Sequence, residues 1–239
     1  MIETQQDFTI HFWGVRGSIA SPGAETVRYG GNTPCIEMRV GGQRLIFDGG
    51  TGLRVLGQHL LSSMPVSAHM FFTHSHWDHI QGFPFFTPAF VPGNYFKIYG
   101  VVAPDGSTIE QRLSGQMLHP NFPVPLQIMG ATLEFYDIAL GEVIDLGEVK
   151  VQNYLLNHPG EAVGYRVSWK NHAVAYVTDT EHYPGRLDEN VLALADQADA
   201  LIYDAMYTDE EYYSEKSSKV GWGHSTWREG VNIALEMGV

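Results

Sequence analysis

The stretch His74-Ser75-His76-Trp77-Asp78-His79 follows directly on the apolar run of residues 69–73. In extended backbone His74 and His76, two residues apart, project to one side, and a turn after them brings Asp78 and His79 toward the same point. Three imidazoles and a carboxylate thus converge from one short segment. A chance polar cluster on a surface turn seldom contains this set. Neutral imidazoles combined with a carboxylate suit zinc, iron or manganese, so the segment reads as a metal-binding loop at a strand end.

Two later strand ends carry the same residue types. Asn157-His158-Pro159-Gly160 closes the apolar run 149–156, and Thr178-Asp179-Thr180-Glu181-His182 follows the run 173–177. Alone, His158 would read as a turn histidine and Asp179 as a turn former. Beside the first cluster both read as ligands, because a rigid sheet edge is how a scaffold holds a metal. His182, three residues past Asp179, reads instead as a histidine at the surface or packed behind the ligands. Around these motifs, runs of β-branched and aromatic residues predict strands at 8–13, 34–40, 44–47 and 68–73, then at 131–136, 149–156, 163–169, 173–178 and 200–203. Helical spacing marks residues 53–61, after the turn Gly49-Gly50-Thr51-Gly52, and later 187–198 and 227–237, the last with Ser225 or Thr226 as its cap. The pattern describes two sheets between outer helices. The Phe- and Pro-rich segments 83–92 and 119–125 read as loops walling a cleft. Phe83, Phe85, Phe86, Phe90 and Phe122 are candidates for stacking a base there, against the plainer expectation that they pack on the fold.

The chain has 239 residues, 44% of them hydrophobic, which suffices for one large domain with a real core and excludes intrinsic disorder. No linker, low-complexity tract or repeat marks a boundary. Twenty-seven Asp and Glu against fourteen Lys and Arg leave a formal charge of −13. Such a surface repels polyanions and argues against a nucleic-acid or anionic-membrane partner. A phosphate-bearing ligand must then be held locally. The single cysteine, Cys35, excludes an internal disulfide and a Cys-based zinc cluster, and it fits a reducing compartment, the cytoplasm by default. Residues 1–12 lack the apolar core of a secretory signal, and no run approaches the roughly eighteen apolar residues of a membrane span. The glycine turn 49–52 has neither a G-x-G-x-x-G pattern nor a P-loop lysine. No G-x-S-x-G element or catalytic-cysteine context appears, so a Ser or Cys nucleophile is not expected.

Taken in order, H-S-H-W-D-H, N-H-P-G, T-D-T and Gly223-His224-Ser225-Thr226, with Gly14-Val15-Arg16-Gly17-Ser18 and Asp48-Gly49-Gly50-Thr51-Gly52, resemble the metallo-β-lactamase fold superfamily. Within it the chain is most similar to phosphodiesterases of the ribonuclease Z and phosphoribosyl cyclic phosphodiesterase kind. The resemblance spans nearly the whole chain. It implies an α+β fold, a four-layer αββα sandwich, as a single hydrolase domain over residues 1–239 with two metals in a cleft between sheet edges. The cofactors implied are two divalent metal ions, zinc first, manganese or iron otherwise. His74, His76 and His158 would hold one, Asp78 and His79 the second, with Asp179 bridging. A hydroxide held between the two is the implied nucleophile, which also counts Asp78 among the catalytic residues. His224 matches the histidine that protonates the leaving alkoxide, and Asp204, in Tyr203-Asp204-Ala205, matches the acid that orients it. Alone, His224 would read as a cap of the helix that follows. By the same resemblance Asp48 orients a ligand histidine from behind. Arg16 and Asn32 fall near the family's cleft as candidate substrate contacts, with Arg16 equally suited to bracing its glycine turn.

Two departures from the family pattern bear on function. The family places a further metal-binding His after one more strand beyond the helix that here begins near Trp227, yet this sequence stops at Val239. The expectation is a chain lacking its last strand or strands, with a weakened second metal site; the alternative is that another group, such as water, takes the place of that His. The tRNA-gripping arm of ribonuclease Z enzymes is inserted between the positions matching His158 and Asp179, and here only twenty residues separate them, the length of one strand-turn-strand unit. With the acidic charge, this disfavours tRNA 3′ processing and leaves a small phosphodiester, a cyclic nucleotide or cyclic ribose phosphate, as the expected substrate. The alternatives are a thioester- or lactam-type hydrolase, since the same metal chemistry attacks carbonyls, and a metal-binding sensor module without turnover. A homodimer would be ordinary for the family, whereas neither a membrane nor a nucleic acid is an expected partner.

Overall fold

The computed structural model describes residues 8–239, so residues 1–7 of the amino-terminal stretch read above lie outside the described residues. The chain divides into two compact units, Met1–Ile138 and Ala139–Val239, each built on one sheet.

In the first unit β1 (Thr9–Gly14) pairs antiparallel with β2 (Cys35–Val40), which turns back at Gly41-Gly42 into β3 (Gln43–Phe47). Both turn glycines take positive φ, 56° and 78°, the primed geometry that matches the twist of the flanking strands. From β3 onward the pairing is parallel. Helix α1 (Thr51–Leu60) crosses to β4 (Ser67–Phe71), the short α2 (Trp77–Ile80) and two 3₁₀ turns lead to β5 (Tyr95–Val101), and α3 (Ile109–Gly115) leads to β6 (Thr132–Ile138). Leu53, Leu56 and Leu60 of α1, spaced for one helical face, are fully buried in a core with Ile46, Phe72, Phe83, Phe86 and Phe96. Each such leucine contributes roughly 2 kcal/mol of hydrophobic stabilisation.

In the second unit β7 (Val143–Leu146), β8 (Val149–Leu156), β9 (Ala162–Trp169) and β10 (His172–Val177) form an antiparallel meander. Helix α4 (Glu189–Ala195) then crosses to β11 (Ala200–Tyr203), parallel to β10, and α5 (Asp209–Tyr212) and α6 (Trp227–Met237) follow. Val191, Leu194 and Ala195 of α4 share a buried core with Ala175 and Val177 of β10 and Ile233 of α6.

Strand direction positions the chemistry. β8 and β10 are both antiparallel to β9 and therefore run the same way, and β11 follows β10. Their carboxyl ends share one sheet edge, and His158, Asp179 and Asp204 lie one or two residues beyond those ends. In the first unit β3 and β4 run parallel, with Asp48 and the 74–79 segment just past their carboxyl ends. Open sheets with parallel strands bind ligands at this edge.

Several sequence-based expectations are corrected. The helix expected over 187–198 is shorter, because Asp188 caps it by accepting the Asn190 and Val191 N–H groups and the backbone leaves the helix at Asp196. Thr226 occupies the cap position of α6 without a side-chain bond, and the Ser225 hydroxyl is engaged with His182 and Tyr203 instead. Strands β5 and β7 and helix α3 form where the sequence reading placed no element. The capping box between Thr108 and Gln111 is the local signal that announces α3. The segment 83–92 winds into two 3₁₀ turns that bury Phe83 and Phe86 as core residues rather than as cleft lining. Phe85, 55% exposed, instead meets Phe122 edge-on at 5.6 Å. Among the described residues no helix is long and apolar enough to cross a membrane.

Candidate metal centre

In the first unit one carboxylate organises the histidine segment. Asp48 takes φ 61° and anchors its N–H on the Phe71 carbonyl. Its buried carboxylate accepts the Thr73 N–H (2.9 Å), the Thr73 hydroxyl (3.0 Å) and His79 Nδ1 (2.9 Å). A carboxylate only accepts, so His79 carries its proton on Nδ1 and, as a neutral imidazole, has its lone pair on Nε2. The Thr73 hydroxyl, its hydrogen given to Asp48, accepts from His74 Nδ1 at 3.0 Å, which makes Nε2 the lone-pair nitrogen of His74 as well. His76 Nδ1 lies 2.9 Å from that nitrogen, and His79 Nε2 faces Asp78 Oδ2 at 3.6 Å. The same Asp78 oxygen accepts the Ser18 N–H at 2.7 Å. His74, Asp78 and His79 are buried, while His76 is exposed. The turn 49–52 is a packing surface for this segment: Gly49 N–H donates to the His79 carbonyl (2.7 Å), and a Cβ on Gly50 would lie 2.3 Å from the Asp78 carbonyl oxygen.

In the second unit the groups come from separate strand ends. His158 Nδ1 donates to the Gly223 carbonyl at 2.7 Å, which again leaves Nε2 with the lone pair, and Nε2 faces Asp179 Oδ2 at 3.7 Å. Asp179 is buried, takes φ 46° and accepts the Thr178 hydroxyl. His224 Nδ1 bonds Asp204 Oδ2 at 2.8 Å, and Asp204 also accepts the Met206 and Thr180 N–H groups. Burial pushes the Asp204 carboxyl above the usual aspartate range, opposed by the hydrogen bond from His224. The ligand atoms of Asp179, Asp204 and His224 lie within 4.8 Å of one another.

These residues fit a divalent cation. Two lone-pair atoms that face each other repel unless positive charge lies between them. With the rings neutral, as metal ligands must be, His79 Nε2 against Asp78 Oδ2 and His158 Nε2 against Asp179 Oδ2 are such pairs, at 3.6 and 3.7 Å, both beyond hydrogen-bond length. Imidazole and carboxylate donors without thiolate match zinc, manganese or iron.

The remaining expected site residues are placed as follows. Arg16 and Asn32 are half-buried, and Val15 and Arg16 N–H both donate to the Asn32 carbonyl (3.0 and 2.9 Å), closing the loop that carries Ser18 to Asp78. Asn32 Oδ1 accepts the Thr51 hydroxyl at 3.2 Å. His182 is buried, with Nδ1 2.9 Å from Ser225 Oγ and Nε2 3.3 Å from the Tyr213 hydroxyl. Two residues the sequence reading did not single out also belong to the surroundings. Arg112 of α3 donates to Ser75 Oγ at 2.8 Å and to the Val101 and Thr108 carbonyls, tying down the residue between His74 and His76. Glu181 lies within the quoted T-D-T-E-H stretch, where only Asp179 read as a ligand. Neither position carries a motif of its own.

The profile of a family described as "Beta-lactamase superfamily domain" matches residues 43–239. No curated protein matches the sequence. Among solved structures, the chain is similar to the metallo-β-lactamase fold protein YhfI from Bacillus subtilis, at 19% identity and a TM-score of 0.69, over 96% of this chain and 81% of that one. A diphosphatase of the PhnP family is similar at 19% identity and 0.68, covering 98% and 84%. Human tRNase Z, short form, is similar at 19% identity and 0.66, covering 96% and 88%. Likeness at this identity shows the fold, which is the metallo-β-lactamase fold expected from the motifs.

Proposed function

The chain belongs to the β-lactamase superfamily, whose members are generally hydrolases, and from that premise we propose that it is a metal-dependent phosphodiesterase acting on a small, cyclic phosphodiester. The ligands for two divalent cations, zinc foremost, are His74, His76, Asp78 and His79 in the first unit and His158 and Asp179 in the second. Cations bound there supply Lewis acidity toward phosphoryl oxygens and activate water near neutral pH. Asp48 and the Gly223 carbonyl serve them by taking up the Nδ1 side of His74, His79 and His158, so that Nε2 is the nitrogen that would coordinate.

The observation that carries the phosphodiester reading is the 2.8 Å bond between His224 Nδ1 and Asp204. An alkoxide is a poor leaving group from phosphorus, and a proton delivered as it departs speeds the step. An imidazole backed at Nδ1 by a buried carboxylate holds a proton at Nε2 and passes it to the departing oxygen, an effect of roughly 10²- to 10⁴-fold. A thiolate leaves a thioester without such help, so the pair favours phosphorus over a thioester. Arg16, with Asn32 beside it, supplies the local cationic contact that an anionic substrate needs against the overall charge of −13. The small size of the substrate is supported by the chain between His158 and Asp179, which is taken up by β9 and β10.

Inductively coupled plasma mass spectrometry on protein never exposed to chelator, paired with hydrolysis of bis-p-nitrophenyl phosphate and cyclic nucleotides, tests the reading. The expected result is close to two metals per chain, with turnover abolished by chelator and restored by zinc. Faster cleavage of precursor tRNA or of a thioester than of these diesters would overturn it.

A further inference from the structure

One buried carboxylate has no part in the chemistry above. Glu181, 9% exposed, accepts the Gly221 N–H (2.6 Å) and the Tyr212 hydroxyl on Oε1 and the Gly223 N–H (2.8 Å) on Oε2. Its main chain is locked to Asn157 in both directions: Glu181 N–H donates to the Asn157 carbonyl, and Asn157 Nδ2 donates to the Glu181 carbonyl, each at 2.8 Å. A single residue is therefore bonded to the neighbour of His158 and to the neighbour of His224, while standing two residues from Asp179. Gly223 completes the link. Its N–H is held by Glu181, its carbonyl accepts His158 Nδ1 at 2.7 Å, and at φ 82° a Cβ there would lie 2.6 Å from that same nitrogen.

The chemistry explains why the group is a carboxylate. All three of its side-chain partners are donors, and only a carboxylate offers acceptors in every direction; an amide would turn an N–H against a donor. Burying a carboxylate is costly, and these donors must compensate that cost. The return is geometric, because the bonds converge on the loop whose carbonyl selects the His158 tautomer.

We propose that Glu181 is a positioning residue that sets, through Gly223, which nitrogen of His158 faces a bound cation and where His224 stands. This rests on the reading of His158 as a metal ligand and His224 as the acid. The full-length protein is titrated with zinc in competition with a chromophoric chelator, and the histidine rings of the metal-free protein are read by ¹⁵N NMR, for wild type, Glu181→Gln and Tyr212→Phe. Glu181→Gln is expected to weaken zinc binding roughly 10- to 100-fold and to shift His158 from the Nδ1–H toward the Nε2–H tautomer. Tyr212→Phe removes one donor but leaves both glycine bonds, so it is expected to lower the unfolding midpoint while changing zinc affinity less than about threefold. A folded Glu181→Gln protein with wild-type zinc affinity and an unchanged His158 tautomer overturns the proposal. If that variant does not fold, amide hydrogen exchange on the wild type decides. Zinc should slow exchange at Gly221 and Gly223 together, and glycines indifferent to zinc overturn the proposal. Neither readout needs turnover, so a protein that binds zinc and hydrolyses no diester leaves this test intact. A wild type that binds no zinc removes the metal reading and the proposal together.

Discussion

In the first unit four of the proposed ligands lie within the six residues from His74 to His79, whereas in the second the two proposed ligands, His158 and Asp179, and the proposed acid pair, Asp204 and His224, are spread over 67 residues of chain. Both regions orient imidazoles by engaging Nδ1, which turns Nε2 to its proposed task, coordination in His74, His79 and His158 and proton delivery in His224, and they do so by different means. The contiguous segment relies on one carboxylate, Asp48, which reaches His79 directly and His74 through the Thr73 hydroxyl. The dispersed set uses a main-chain carbonyl for His158 and separate carboxylates, Asp204 and Glu181, for His224 and its loop. A ligand set built from consecutive residues keeps its geometry as long as one loop does. A set built from several strand ends depends on the register of β8, β10 and β11 and on where α6 begins.

The largest effect expected is on a ligand from either region. His76→Ala and His158→Ala should each lower kcat/KM on bis-p-nitrophenyl phosphate by roughly 10³-fold, since several kcal/mol of transition-state stabilisation go with the metal. Metal content measured on the same samples should fall in both, and a protein that tolerates one of the two losses would mean that a single region suffices. Next comes the acid. His224→Ala should cost roughly 10²-fold on an alkyl diester and almost nothing on bis-p-nitrophenyl phosphate, whose p-nitrophenolate leaves without a proton. Comparing the two substrates isolates proton delivery from metal binding, and equal losses on both would assign His224 to the scaffold. Asp48→Asn places an amide N–H against His79 Nδ1–H and favours the tautomer that protonates Nε2. Chelator competition should show zinc affinity weakened about 10-fold or more, and unchanged affinity would break the parallel drawn between Asp48 and Glu181.

The smallest effect concerns pH and the first unit. His69 of β4, beside the Tyr99 hydroxyl, is pushed down to about 4 by burial and, secondarily, by Lys97. Its folded value lies below the unfolded one, so the unfolded chain takes up the proton first. Stability from this group is complete above about pH 6.5 and declines as the pH falls toward 4. The side chain is partly exposed and solvent screens it, so the change is modest. Thermal unfolding from pH 7 to 4.5 should show a smaller drop in midpoint for His69→Gln than for wild type, and parallel curves would remove His69 from the acid response.

How much was legible varied with the distance over which a signal acts. The strand at residues 149–156 and the helix at 227–237 appear as β8 and α6 with those bounds, because alternation and helical spacing act within a turn or two of chain. In the 83–92 segment the plainer expectation held and the base-stacking one did not: Phe83 and Phe86 are buried by their packing with residues elsewhere in the unit, which no local signal specifies. Among the candidate site residues, His74 to His79 stood out by density alone. His158, Asp179 and His224 acquired meaning only beside that cluster or through the family pattern, since one histidine or aspartate in a turn has many ordinary reasons to be there.

By itself, the sequence determined that a strand ends in a cluster of side chains of metal-ligating type, that the chain is strongly acidic, and that its motifs are those of the metallo-β-lactamase fold. Only the tertiary structure decided which groups stand behind those side chains. Asp48 meets His79 across 31 positions, Arg112 meets Ser75 across 37, and Glu181 meets Gly221 and Gly223 across 40 and 42. The identity of such a partner follows from strand order, register and the φ of single residues. No local pattern of side chains encodes these, because a hydrogen bond is decided within a few ångströms, and the fold alone brings residues that far apart in the chain within that range.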